Sequence, residues 1–364
     1  MSDLSPRQRI LQLIQHNPYL SQQELAEQTG LSRSAVAGHI ASLTRERRIL
    51  GRAYVLPEQR PVVCIGGANI DRKVRTLGPL QMGTSNPVEV EETFGGVGRN
   101  VAENLARLGA PTHLITAVGQ DPAGEALLSH LHSLGVDTRG SLQQAHASSG
   151  TYTAVLDDHG EMVLALAHMQ LCDALTPTLL QQCSAQRAAA ALTVLDLNLP
   201  ADSVASLLYA AREDAVPLVV VAVSIPKMAR LPADLRGIRL LILNRGELES
   251  RVGRPLPDLP ALEVACQQVQ QQGVQDLIVT LGADGVVHTH DQGLLHLPAP
   301  QVPVRDVTGA GDAFSAAVCW SLHQQPDDLT LACRRGLTLS ALTVQCNSTV
   351  YPDLTPASLM DLLA

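Results

Sequence analysis

Residues 306–318 read DVTGAGDAFSAAV. Gly309, Ala310 and Gly311 stand where a helix of small apolar residues begins, and successive N–H groups at a helix N-terminus form a hole for an anion. Asp312 follows within the first turn. On one reading its carboxylate stabilises the helix dipole. On the other it is a general base for a hydroxyl attacking a phosphoryl group that those N–H groups hold. This stretch alone leaves both open. A second Gly-rich stretch, GGVGRNVAENLARLG at 95–109, lies about 210 residues upstream. Gly95 and Gly96 allow backbone to approach a ligand, a helix starts right after them, and Asn100 brings amide donors and an acceptor to that helix start.

Outward from these stretches the chain alternates. Short apolar runs at 62–65, 113–118, 191–197, 218–223, 239–243 and 276–281 read as buried strands, and helix-like stretches such as 100–108 and 123–134 separate them. Strands alternating with helices predict a mostly parallel α/β sheet. Two segments break the rhythm. NPVEVEET at 86–93 and GTYTAVLDDHGEMVLAL at 150–166, with a turn at 157–160, alternate apolar and polar residues. They predict antiparallel strands with one wet face, a small sheet suited to act as a lid.

The two Gly-rich stretches do not stand alone. Gly66, Asn69 and Asp71 form G-x-x-N-x-D after the first strand, Asn244 and Glu247 form N-x-x-E, and Thr280-Leu281-Gly282 closes a late strand. In this order they resemble the motifs of the ribokinase-like (PfkB) carbohydrate and nucleoside kinases, over the whole of 61–364. The resemblance implies a three-layer α/β/α core with a small β-sheet lid. It implies Asp312 as the catalytic base and Gly309, Ala310 and Gly311 as the anion hole. Asn69, Asp71, Gly95, Gly96 and Asn100 would hold the sugar hydroxyls. Asn244 and Glu247 would sit near the phosphates of ATP, with Glu247 holding Mg²⁺ through water, and Thr280 and Gly282 would line the nucleotide site. Asp306 and Thr308 match a monovalent-cation (K⁺) pattern. Anion-hole N–H groups and Mg²⁺ supply charge neutralisation without a lysine, and a closing lid excludes water as a competing acceptor.

Within the family, GGANID, SNP at 85–87, GGVGRN and DLN at 196–198 resemble the pseudouridine kinases, which implies transfer to the 5′-hydroxyl of pseudouridine. Asn86, Tyr152 and His168 are candidate readers of the base edge. Ala167-His168-Met169 and Ala222 depart from the usual pattern of those relatives. Ribose, another pentose or another nucleoside would use the same Asn69, Asp71 and Asn100, so these acceptors stay open.

The first 56 residues have another character. Residues 7–15 read as a helix, Ser21 and Glu24 form an S-x-x-E capping box for a second, Gly30 ends it, and Ser32 caps a third with Val36, Ile40 and Leu43 as its apolar face. Residues 48–56 read as a short β-hairpin, and Pro-bounded 57–60 as a linker. This order resembles a winged helix-turn-helix over 1–56. The resemblance places the third helix in the major groove of an operator, with Arg33, Ser34 and His39 toward bases and Arg45, Arg47, Arg48 and Arg52 toward phosphates. A packing or dimerisation module is the alternative for this head. A ligand-sensing regulator with a kinase-like body is the alternative for the whole chain. A homodimer is expected by analogy.

Composition agrees with this division. The 364 residues carry a net charge of -9, yet residues 1–60 hold eight Arg against five Asp and Glu, so only the head is basic. Hydrophobic residues make up 45%, enough for a sizeable core. Seven cysteines with no C-x-x-C predict buried free thiols rather than disulfides or zinc. Lysine occurs twice, at 73 and 227, and neither sits in a G-x-x-x-x-G-K-[ST] loop, which excludes a Walker-type NTPase. No signal-peptide pattern and no apolar run of about 20 residues is present, so a cytoplasmic protein without membrane contact is expected.

Overall fold

The computed structural model describes residues 5–17, 20–46, 48–49 and 60–360. The chain divides into two compact units, 1–58 and 59–364.

In the first unit, helices α1 (Pro6–His16), α2 (Gln22–Thr29) and α3 (Arg33–Arg45) enclose Ile10, Leu11, Leu25, Val36, Ile40 and Leu43. The capping box closes as the sequence predicts: Glu24 N–H donates to Ser21 Oγ at 3.1 Å and Ser21 N–H to Glu24 Oε2 at 2.7 Å. Gly30 ends α2 at φ +71°, in the left-handed region that glycine enters without steric cost. Ser32 accepts from the N–H of Ala35 to open α3. The expected hairpin over 48–56 and the linker 57–60 lie, apart from 48–49 and Arg60, outside the described residues.

The second unit is built on a sheet of eight strands. Its strands are β1 (Val62–Ile65), β4 (Thr112–Ile115), β9 (Leu192–Asp196), β10 (Leu218–Val221), β11 (Leu240–Asn244), β12 (Asp276–Thr280), β13 (Val286–His290) and β14 (Gly293–Leu297). A second sheet holds β2 (Asn69–Thr76), β3 (Val88–Gly95), β7 (Gly150–Leu156) and β8 (Met162–His168), and a two-stranded ribbon holds β5 (Ala117–Gly119) and β6 (Leu142–Gln144). The large sheet runs β14-β13-β12-β11-β10-β9-β1-β4, and every pair from β12 to β4 is parallel. Its central strands read as unbroken apolar runs because both faces are covered. Val62 and Cys64 of β1 face one layer, with α4 (Val97–Arg107), α5 (Pro122–Ser133), α11 (Ala310–Gln324) and α12 (Leu329–Thr343). Val63 and Ile65 face the other, which includes α6 (Pro177–Gln182), α7 (Ser184–Ala188), α8 (Ala201–Asp214), α9 (Arg245–Val252) and α10 (Leu259–Gln271). The three-layer core is thereby confirmed.

One expectation is corrected. The run at 113–118 is not one strand. Thr116 leaves β4 to donate its hydroxyl to Gly66 O at 2.7 Å, and Ala117 starts a ribbon in a different sheet. The antiparallel hairpin β13–β14 at the sheet edge went unforeseen, because VVHTH and GLLHL are short and half polar.

The small sheet runs β3-β2-β7-β8. It contains the two segments expected of a lid, and also β2, for which the sequence reading expected no strand of its own. The register sorts β2 into two faces. Asn69, Asp71 and Lys73 share one face with Gly95, Thr93 and Tyr152. On the opposite face Val90, Val74, Val155 and Leu164 form a row across all four strands.

All seven cysteines are free thiols, six of them buried. Among the described residues no helix is long and apolar enough to cross a membrane.

Candidate active site

The carboxyl ends of β1, β9, β11 and β12 and the N-termini of α4 and α11 converge below the small sheet. In open α/β sheets this is where ligands bind.

Asp196, at the end of β9, organises the floor. Its Oδ2 accepts the N–H groups of Gly67 and Gly98, both at 2.8 Å, and its Oδ1 accepts that of Asn198 at 2.7 Å. One buried carboxylate thus ties the turn after β1 to the start of α4. Burial pushes its pKa up, and these three N–H groups pull against that. The approach is close enough to require glycine at 66 and 98. A side chain at Gly66 would collide with the Asp196 carboxylate, and one at Gly98 would come within 2.8 Å of Gly66 Cα.

The start of α4 carries a second network. Arg99 is buried at 2% exposure and donates to the carbonyl of Phe94 at 2.5 Å, to Thr349 Oγ1 at 3.1 Å, to Glu103 and to Asn100 Oδ1. Glu103 also pairs with Arg107 at 2.8 Å and His130 at 3.0 Å. With its oxygen held by Arg99, the Asn100 amide points its NH₂ group at Asp312 Oδ2, 2.6 Å away. Among the described residues Asp312 Oδ1 has no partner.

Asp312 occupies the third position of α11. Burial lifts its pKa to about 6; the Asn100 bond and Arg99 oppose the shift, and Asp196 and Asp71 add to it. The helix begins at Gly309, with φ +83°. Ala313 N–H closes the first helical bond to Gly309 O at 2.8 Å, and Ala310 N–H leans on Val307 O at 3.2 Å. The N–H groups of Gly309, Gly311 and Asp312 have no partner among the described residues, as helix starts require of their first donors.

Asp71 lies above this on β2. It accepts from Asn69 Nδ2 at 2.5 Å, burial raises its pKa, and Arg99 and Lys73 pull it down. Gly95 lies so close to Asp71 that a side chain there would strike its carboxylate. Gly96 has φ +98°. Asn69, Asp71, Gly95, Gly96, Asn100 and Asp312 are therefore brought together.

Beside α11 lies a cavity of about 330 Å³. Thr280, Gly282, Val307, Phe314, Leu337 and Ala341 are among its lining residues, and Ala310 and Gly311 form one wall. It is apolar and of a size that admits a small organic ligand. Asn244 and Glu247 do not line it. They form a capping box on α9, with Asn244 N–H to Glu247 Oε2 at 2.7 Å and Glu247 N–H to Asn244 Oδ1 at 2.9 Å. Burial raises the Glu247 pKa. Asn244 pairs with Thr280 across β11 and β12, which sets the box beside the cavity wall.

The three candidate base readers separate. The Asn86 amide closes its own loop, bonded to Gln81 N–H at 2.8 Å, Gln81 O at 2.9 Å and Thr84 O at 3.2 Å. His168 pairs with Thr151 on the lid face away from Asp71. Tyr152 pairs with Asp71 in register and shares its face.

Sequence reasoning gave no role to Arg99, Asp196, Thr349 or either lysine. Lys73 reaches Asp306 from β2, and Lys227 donates to Asn198 Oδ1 at 2.8 Å beside Asp196. The signal was available, since a chain that otherwise uses arginine keeps only these two.

In the head, Arg33 and Ser34 are exposed at the start of α3, and His39 is half-buried on its flank.

Residues 59–356 match the pfkB family of carbohydrate kinases. The chain belongs to that family. Residues 6–49 match a winged helix-turn-helix DNA-binding domain. Two relatives come from Escherichia coli strain K12. The chain is 34% identical to the uncharacterized sugar kinase YeiI, over 86% of each chain. It is 33% identical to a pseudouridine kinase, over 84% of this chain and 97% of the relative. A solved ribokinase of Arabidopsis thaliana, in complex with ribose and ATP, superposes with a TM-score of 0.75 at 21% identity, covering 84% of this chain and 99% of the other. At that identity the last likeness shows the fold.

Proposed function

We propose that residues 59–364 transfer the γ-phosphoryl group of ATP to the 5′-hydroxyl of a nucleoside, pseudouridine first among the candidates. The observation that carries this reading is the Asp312 carboxylate, poised with a pKa near 6 and one free oxygen, directly after the unpartnered N–H groups of Gly309 and Gly311. Asp312 Oδ1 takes the hydroxyl proton as the acceptor oxygen bonds to phosphorus. The bond from phosphorus to the β-phosphate oxygen breaks, and ADP leaves with that electron pair. The N–H groups at the start of α11 meet the charge on the transferring group, a task that needs positioning more than covalent chemistry.

Asn69, Asp71 and Asn100 hold the ribose hydroxyls in this reading, and the apolar cavity beside Phe314 takes the adenine. Glu247 fits a hydrated Mg²⁺: its Oε2 closes the α9 cap, leaving Oε1 for a metal-bound water. Mg²⁺ brought with ATP would neutralise the phosphates. K⁺ at Asp306 fits less well, because the Lys73 ammonium and Thr308 already engage that carboxylate.

Pseudouridine is favoured by the relative of that name and by Tyr152, which stands beside Asp71 on the site face of the lid. An ADP-release assay with Mg²⁺ and ATP compares pseudouridine, uridine, inosine and ribose. Preference for pseudouridine supports the reading. Preference for ribose keeps the chemistry and removes the base. No turnover with any acceptor moves the function to ligand sensing by a regulator.

We also propose that the head binds an operator through Arg33, Ser34 and His39 on α3. The chain is proposed to be a homodimer, supported by the exposed lid row that includes Val90 and Leu164. A monomer on gel filtration contradicts the dimer.

A further inference from the structure

Asp306 is the residue to which the family resemblance gives a monovalent cation, and its carboxylate is already in use. Oδ2 accepts from the ammonium of Lys73, which arrives from 233 positions away on β2. Oδ1 accepts the N–H of Thr308 at 2.9 Å and its hydroxyl at 2.7 Å. The pair is largely sheltered, with side-chain exposures of 30% for Lys73 and 17% for Asp306. A K⁺ ion needs the carboxylate as an oxygen ligand. Here a tethered group of the same unit charge stands on one oxygen, and Thr308 directs two protons at the other. The donor set does not fit a cation at this carboxylate.

We propose that Lys73 takes the place of the monovalent cation: its ammonium neutralises Asp306 and fixes the 306–309 turn that opens α11, so the kinase works without K⁺. The proposal rests on the kinase reading above. An unneutralised carboxylate three residues before Gly309 would repel the phosphoryl group those N–H groups must hold. Lysine suits this role because its charge is compact, a point source like the ion it replaces. The origin of Lys73 adds a further property. Asn69, Asp71 and Lys73 alternate along one face of β2, so the strand that brings the substrate-holding residues also brings the cation. Tyr152 stands beside Asp71 on this face, and Glu91 pairs with Lys73 in register.

The test uses the full-length protein in KCl and in choline chloride, with Lys73→Met as the variant. Wild-type turnover is expected to differ less than twofold between the two salts. Crystals soaked in RbCl are expected to show no anomalous peak at Asp306. Lys73→Met is expected to lose about tenfold or more in choline chloride and to regain part of it in KCl. Fivefold stimulation of the wild type by K⁺, a rubidium peak at Asp306, or full Lys73→Met turnover in choline chloride would overturn the proposal. If no acceptor is turned over, the kinase reading fails separately, and the rubidium soak and melting temperatures still decide the lysine. Equal wild-type melting in both salts, with a K⁺-dependent rise in Lys73→Met, supports it; K⁺-dependent melting of the wild type overturns it.

Discussion

Asn100 donates its side-chain amide to Asp312 Oδ2 at 2.6 Å, joining the two Gly-rich stretches across 212 positions of chain. Arg99 holds the other end of that amide, which therefore cannot flip. Asp312 is left with one oxygen held and one open, the arrangement a general base requires. Glu103, Asp312 and Asp71 act on the buried guanidinium of Arg99, and Asp196 and Asp71 act in turn on Asp312. Burial is the main reason the Asp312 pKa rises despite its bonded amide, and the carboxylates of Asp196 and Asp71 add to it.

The pH dependence follows from this rise. The base we propose must be ionised to act, so kcat/KM should climb with an apparent pKa of about 6 and level off above it. Stability should move the opposite way. The folded pKa lies above the unfolded one, so ionised Asp312 costs stability at neutral pH, and that cost fades as pH falls through about 6 toward 4. Asp312→Asn should therefore melt above wild type at pH 8, and the gap should close by pH 4. Thermal melts across that range check this.

Arg99 should act through Asn100. Arg99→Met removes the clamp and leaves Glu103 short of one partner, with an expected loss of about 3 kcal/mol in denaturant unfolding. Adding Glu103→Gln should return part of that stability without restoring kcat, because Asn100 stays unclamped. Recovery of both together would mean the role of Arg99 is structural only.

The two glycines flanking Ala310 should respond differently to alanine. Gly309 has φ +83°, and a side chain there would strike the Thr349 carbonyl, so Gly309→Ala should cost about 2 kcal/mol or more. Gly311 has open space where a Cβ would go. Gly311→Ala should fold as well as wild type, since alanine is the better helix former. Its methyl group would stand beside an N–H that we propose as an anion-hole donor, and kcat should fall about tenfold or more. Unfolding curves and turnover, measured side by side, separate the two effects.

DNA binding by the head should be electrostatic in its non-specific part. Arg33→Ala should weaken binding and lower the slope of log K against log salt by about 1 if Arg33 contacts phosphate. If it contacts a base edge, sequence preference should relax instead. Electrophoretic shifts at several salt concentrations read both.

Most of the fold was legible because its signals are local. The unbroken apolar runs that became β1, β9, β10, β11 and β12 and the Ser21–Glu24 capping box each act within a few residues, and the glycines at 95, 96, 309 and 311 stand in short motifs. The misreadings have physical causes. Thr116 ends β4 through a hydroxyl bond to Gly66, a long-range contact invisible to periodicity. β2 reads NIDRKVRT, where charge hides the alternation of Ile70 and Val74. The Asn244–Glu247 pair was legible as a motif, yet its capping role on α9 appears only with the fold. Asp196 and Lys73 act through partners 98 and 233 positions distant, beyond the reach of spacing, and the clamp of Arg99 on its neighbour Asn100 depends on side-chain directions that spacing does not give.

The most direct measurement is ADP release from Mg²⁺-ATP by wild type and Asp312→Asn, using the best acceptor found for the wild type. General-base catalysis is worth about 10²–10⁴-fold. Wild-type turnover with a loss of that size in a folded Asp312→Asn protein is the predicted result. Turnover in Asp312→Asn within a few-fold of wild type would contradict the assignment of Asp312 as the base.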